Sequence, residues 1–133
     1  MKAKDWLCRA RRMNGRLRAL QTSKAQAFAR ATSSTVGDGE HISGGEPADK
    51  HAAYAEISLT IDRQIEMLER TRAEILQVIG QMEDNTLSTI LTEYYVNDKT
   101  WAEIAAEQHY SWRQVMRLHG HALQMIRDMT GME

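Results

Sequence analysis

Apolar residues recur at three- and four-residue steps along three stretches of this chain, and each stretch predicts amphipathic helix. In residues 3–30, Trp6, Ala10, Met13, Leu17, Leu20 and Ala27 or Phe28 form one stripe, interrupted at Gly15. A second pattern runs from Asp49, a plausible N-cap just after Pro47, to Met82. There Tyr54, Ile61, Leu68, Ile75 and Met82 lie seven apart, with Ile57, Ile65, Val78 and Ile79 on the same face. A seven-residue repeat over four intervals marks a coiled-coil or helical-hairpin seam. Such a helix is ~50 Å long and needs a partner for its stripe. The partner is either the N-terminal helix or the same helix of a second subunit.

Punctuation separates these stretches. Thr32 to Pro47 holds four of the eight glycines and the only proline, the composition of a linker. Its glycines lack the Gly-Lys-Ser/Thr element of a phosphate-binding loop. Beyond residue 84 the helices shorten. Asp84-Asn85-Thr86 offers caps for a helix through Leu87, Ile90, Leu91, Tyr94 and Tyr95, and Asn97-Asp98-Lys99 reads as a turn. Thr100-Trp-Ala-Glu103 and Ser111-Trp-Arg-Gln114 are two capping boxes, each with a hydroxyl followed three residues on by a carboxylate or amide. The last helix is expected to reach about Met129 and to bury Val115, Leu118, Ala122, Ile126 and Met129. Two helices joined so tightly predict a helix-turn-helix.

The resulting organisation is a basic N-terminal helix (1–31), a Gly/Ser-rich linker (32–48), a long heptad-patterned helix (49–83) and a helix-turn-helix domain (84–133). Composition agrees with an all-α protein. Apolar residues are 42% and charged residues 26% of the 133, which disfavours global disorder, and there is one phenylalanine. No run approaches 18 apolar residues, so no membrane span is expected, and the first 30 residues lack the apolar core of a secretory signal. A single cysteine, Cys8, excludes an intrachain disulfide framework.

The formal charge of −1 hides a segregation. Residues 1–30 carry nine bases against one acid, whereas residues 31–110 carry fifteen acids against five bases. That pattern predicts either a nucleic-acid contact or pairing of a basic with an acidic helix. The N-terminal helix is accordingly expected to lie antiparallel against the long one. Candidate catalytic chemistry is sparse. Asp62, Glu66, Glu69 and Glu74 lie off the apolar seam, and two of them sit at ion-pair spacing from Arg70 and Arg72, the signature of a solvated face. His119 and His121, two apart on a helix, point to nearly opposite sides and do not share a metal easily. His41 and His51 lie in or beside the linker. No nucleophile comes with a base and an orienting partner, so neither an enzyme nor a cofactor or metal site is expected.

The C-terminal residues carry a resemblance. Thr100 to Leu123, through Glu103-Ile104-Ala105, Ser111, Val115 and Ala122-Leu123 with Arg127 behind, resembles region 4 of the bacterial sigma-70 family. Tyr94-Tyr95-Val96, Lys99-Thr100-Trp101, Tyr110-Ser111 and Arg117 to Leu123 are more narrowly similar to small phage and mobile-element proteins described as sigma-like or ArpU-type transcriptional regulators. The match covers residues 84–128 best. Many helix-turn-helix turns have glycine where this chain has His109, a position that needs a left-handed backbone.

The resemblance implies a sequence-specific, double-stranded-DNA-binding transcriptional regulator of a phage or integrated element in the bacterial cytoplasm, with RNA polymerase as a further contact. A recognition helix presents its N-terminal residues to the bases of the major groove. Here those are Trp112, Arg113, Gln114, Met116 and Arg117, with Ser111 and His121 completing the set. Arginine can pair with guanine and glutamine with adenine, each in bidentate fashion; Met116 has packing as an alternative role, and Trp112 a protein contact. Trp112 is expected to be exposed and Trp101 buried. Two other function classes fit the same architecture: a DNA-packaging component similar to a small terminase subunit, and a structural coiled-coil adaptor. A homo-oligomer through the long helix is compatible with each.

Overall fold

The computed structural model describes residues 1–32 and 47–133, with side chains from residue 50 onward in the second stretch. Residues 33–46 of the expected linker, with His41, fall outside the described residues, whereas Thr32, Pro47 and Ala48, also assigned to it, are helical. Among those described there are five helices and no strand: α1 (Ala3–Thr32), α2 (Pro47–Gly80), α3 (Asn85–Leu91), α4 (Trp101–Gln108) and α5 (Trp112–Thr130). A π-helical turn, Thr92–Val96, extends α3. The long helix starts at Pro47, so Asp49 lies inside its first turn instead of capping it. Proline suits that opening because its missing N–H is among those a first turn leaves unpaired. No helix among the described residues is long and apolar enough to cross a membrane.

The chain divides into two compact units. The first joins Met1–Gly15 to Glu69–Glu133. Its main core gathers Ala3, Leu7 and Ala10 of α1, Ile75 and Ile79 of α2, and Met82, with Leu87, Leu91, Tyr95, Val96, Ala122, Leu123 and Ile126. A smaller cluster of Ile90, Ile104, Ala105 and Val115 ties α3, α4 and α5 together. The domain boundary expected near residue 84 therefore moves, because the first fifteen residues and the end of α2 complete this core. Met129 is 40% exposed where burial was expected, and Met132 beyond the helix packs against the core in its place. Gly131 then ends the helix in the left-handed conformation, φ 76°.

The second unit comprises Arg16–Leu68. Leu17, Leu20, Ala27, Ala31 and Ile61 are buried there. Phe28 and the seam residue Ile57 are 54% and 45% exposed. The choice left open between Ala27 and Phe28 is thus settled for Ala27, and Ile57 departs from the expected stripe. Lys24 Nζ pairs with Asp62 at 2.8 Å, and Arg16 donates to Gln64 at 3.2 Å. The Lys24 ammonium is held above its ordinary pKa by that hydrogen bond to Asp62. Phe28 meets Tyr54 edge-on, with ring centres 5.7 Å apart.

Candidate nucleic-acid interface

Two capping boxes set the start of α4 and α5. Thr100 accepts from the Glu103 N–H at 3.1 Å, and Glu103 accepts from the Thr100 N–H in return. His109 ends α4 at φ 60°, ψ 40°, the left-handed backbone expected at that position. The Tyr110 N–H closes the turn on the Ala105 carbonyl at 2.9 Å. Ser111 then caps α5, so three residues redirect the chain. Val115, His119, Ala122, Leu123 and Ile126 form the buried face of α5. Arg113, Gln114, Arg117, Gly120, His121 and Gln124 are exposed.

The structure sorts the seven residues named from sequence. Arg113 and Arg117 are exposed and make no hydrogen bond or ion pair with any described residue. Trp112 is 53% exposed, as expected, at the first position of the helix. His121 is exposed as well, one turn beyond Arg117. Met116 instead packs, half-buried, against the cluster around Val115. Gln114 is not free to read adenine in bidentate fashion. Its Oε1 accepts from the Ser111 N–H at 2.9 Å and from the Ser111 hydroxyl at 3.2 Å. Both lone pairs are occupied, and adenine needs that oxygen together with the amide N–H. The Ser111 hydroxyl is likewise engaged, accepting from the Gln114 N–H at 3.1 Å. These two side chains hold the end of α5 in place, leaving Arg113, Arg117, Trp112 and His121 as the accessible groups.

Behind this surface lies a feature that the local pattern did not reveal. An ordinary helix would carry Val96 about 100° past Tyr95. The π-helical turn reduces that step, so Leu91, Tyr95 and Val96 are all buried. Carbonyls of this turn and of the loop after it find partners on α1. Arg11 Nη1 donates to Tyr94 O at 2.6 Å and to Lys99 O at 2.9 Å, and Asn14 Nδ2 donates to Val96 O at 3.1 Å. The same guanidinium lies 4.0 Å from the Tyr94 ring centre, a cation–π contact, and 3.5 Å from Asp98. Tyr94 stacks on Trp101 at 3.7 Å, and Trp101 meets His119 at 4.6 Å between ring centres. Trp101 is therefore half-buried, covered on its stacked side, and not fully enclosed as expected. Lys99 bridges Glu93 and Glu107, and its hydrogen bond to Glu93 holds that carboxyl below its usual range.

His119 is the buried polar centre of α5. Its Nε2 lies 2.7 Å from the Tyr95 hydroxyl. Burial raises the Tyr95 phenol above its ordinary pKa, so the hydroxyl keeps its proton and can donate it to a neutral imidazole. Burial, with a smaller contribution from Lys4, pushes His119 down to about 4. The unfolded chain takes up this proton near pH 6.5 and the folded chain only near 4, so stability is complete above 6.5 and declines as pH falls between them. A loss on the order of 2–3 kcal/mol is expected across that window. Denaturant midpoints at pH 7.5, 6, 5 and 4.5 measure it. The His119→Gln variant should be less stable at pH 7.5 and flatter over the same range; an unaltered slope would show that another group governs the decline.

Charge within this unit is balanced. Residues 1–15 carry five bases and one acid, and residues 69–133 carry six bases and ten acids. The positive segment thus neutralises the helices it packs with, and Arg11–Asp98 is one direct pairing. Arg113 and Arg117 thus place positive charge on the exposed side of α5 in a unit whose formal charges cancel. Compared with protein-family models, with curated proteins and with solved structures, the chain matches none of them.

Proposed function

We propose that this chain is a sequence-specific, double-stranded-DNA-binding transcriptional regulator of the sigma region 4, ArpU-like type, from a phage or integrated element, acting in the bacterial cytoplasm. The carrying observation is the outer face of α5. Arg113 and Arg117 stand one helical turn apart at the start of a helix that follows a tight left-handed turn, with Trp112 exposed beside them. A helix presented in this way can enter a major groove, where arginine reads guanine edges or grips phosphate. In this reading α4 and α5 are the helix-turn-helix, and RNA polymerase is a further partner of the same module. The reading includes a helical hairpin of α1 and α2, supported by the Lys24–Asp62 pair and the Phe28–Tyr54 contact. It does not require a homo-oligomer, because Ile61 of the heptad seam is already buried within one chain.

Selection of bound sequences from a random duplex pool, followed by titration against selected and scrambled duplexes, tests the proposal. Enrichment of one motif, bound about 10³-fold or more tightly than scrambled DNA, is expected. Absence of duplex binding at low salt would overturn the reading in favour of a structural adaptor. A ring-shaped oligomer found by mass determination in solution would favour DNA packaging.

A further inference from the structure

Helix α5 is reinforced at both ends, by the Ser111–Gln114 capping box and by left-handed Gly131. Gly120 nevertheless sits near its middle, where glycine destabilises a helix by roughly 1 kcal/mol relative to alanine. Nothing inside the molecule requires it. Its backbone is right-handed helical, it is exposed, and a Cβ built there would meet no atom within 4 Å. Its neighbours on the helix surface explain it from outside. Arg117 lies three residues before it and Gln124 four after, and Arg113 and Arg127 lie seven before and seven after, all on one side of α5. Arg127 donates to Gln124 Oε1 at 3.3 Å, and Gln124 donates to Asp128 at 3.0 Å, which engages the acid at the edge of this face.

We propose that Gly120 is the point where the backbone of α5 comes closest to bound duplex DNA, with Arg113 and Arg117 contacting it on one side and Arg127 on the other. The face spans ~21 Å at 1.5 Å per residue, so the contact runs along most of the helix and not only its first turn. Its charge selects the occupant. Three arginines flank a bare stretch of backbone, and between them there is no acid on the strip running through Met116, Gly120 and Gln124. A polyanion closing on that strip gains from the cations, and a side chain at residue 120 would hold it off. The inference rests on the proposed DNA-binding role, and it adds Gly120 and Arg127 to the contact surface.

The test uses the full chain and a selected duplex, with Gly120→Ala, Gly120→Gln, Arg127→Ala and, as a control for added bulk elsewhere, Ala73→Gln. Gly120→Ala should melt about 3–6 °C higher, since it gains helix propensity without a clash. The same variant should bind the duplex at least about threefold more weakly, and Gly120→Gln more than about tenfold, a penalty of about 1.4 kcal/mol. Arg127→Ala should lower the slope of binding against log salt by about one unit. Ala73→Gln should bind as the parent does. Binding unchanged in Gly120→Gln or in Arg127→Ala, while Arg113→Ala or Arg117→Ala weakens it, would overturn the lengthwise contact and leave DNA recognition by the first turns intact. Failure of the parent chain to bind any duplex would overturn both.

Discussion

A chain lacking Met1–Gly15 is expected to lose the cooperative unfolding transition of its C-terminal helices. Ala3, Leu7 and Ala10 are fully buried in the same core as Ile126 of α5. Arg11 and Asn14 are the donors for three backbone carbonyls of the π-helical turn and the loop after it. Replacing Leu7 alone by alanine should cost about 2–5 kcal/mol, a transfer term plus a cavity term. Replacing Arg11 by methionine would strip the Tyr94 and Lys99 carbonyls of this donor, at roughly 1–3 kcal/mol for each left unpaired. Small domains are stable by only about 5–15 kcal/mol, so losing all these contacts together exceeds what the remainder can supply. Denaturant titration followed by circular dichroism measures the effect. A truncated chain with the midpoint of the full one would show that residues 1–15 are dispensable for folding of the C-terminal helices.

The second large effect concerns binding. Arg113→Ala and Arg117→Ala should leave the unfolding midpoint nearly unchanged, because exposed substitutions seldom exceed ~0.5 kcal/mol. Each should weaken specific binding by roughly 1–3 kcal/mol if its guanidinium reads a base edge. If it touches only phosphate, selected and scrambled duplexes should suffer alike and the salt slope should fall by about one unit. Gln114→Ala provides the contrast. It removes the reciprocal half of a capping box, so stability should drop by about 1 kcal/mol while the base preference of the selected motif stays the same. Titrations against both duplexes at two salt concentrations, with melting curves on the same samples, separate these outcomes. Unchanged binding in both arginine variants would remove α5 from the role of reader, and a changed base preference in Gln114→Ala would show that the cap opens on DNA.

What was legible in the amino-acid sequence was what short-range physics controls. Helix periodicity follows from residues three and four apart, and together with the capping signals it located the five helices to within a few residues. Capping follows from a hydroxyl and the group three positions on, and both boxes formed. The left-handed backbone at His109 was expected from the likeness to helix-turn-helix proteins that carry glycine there, and was observed at φ 60°. The same local rules marked the exposed arginines of α5, because Val115 and Ala122 fix which side faces the core.

Tertiary structure decided the rest. Arg11 meets the Tyr94 carbonyl across 83 positions, and Tyr95 meets His119 across 24. No periodicity encodes such pairs, since they depend on which helix packs against which. The π-helical turn belongs with them, for it buries Tyr95 and Val96 while Arg11 and Asn14 of α1 meet its Tyr94 and Val96 carbonyls. Gln114 shows how one residue type carries two meanings. Its spacing from Ser111 predicted a cap and its place on the helix suggested a base reader, and only the occupied Oε1 lone pairs separated the two. The basic N-terminus resolved in the same manner. Its charge predicted pairing with the acidic long helix, with nucleic acid as the alternative, and it was burial of Ala3, Leu7 and Ala10 that placed residues 1–15 in the C-terminal core. Burial of apolar surface is non-directional and scales with area, so it selects partners only once the whole chain has collapsed.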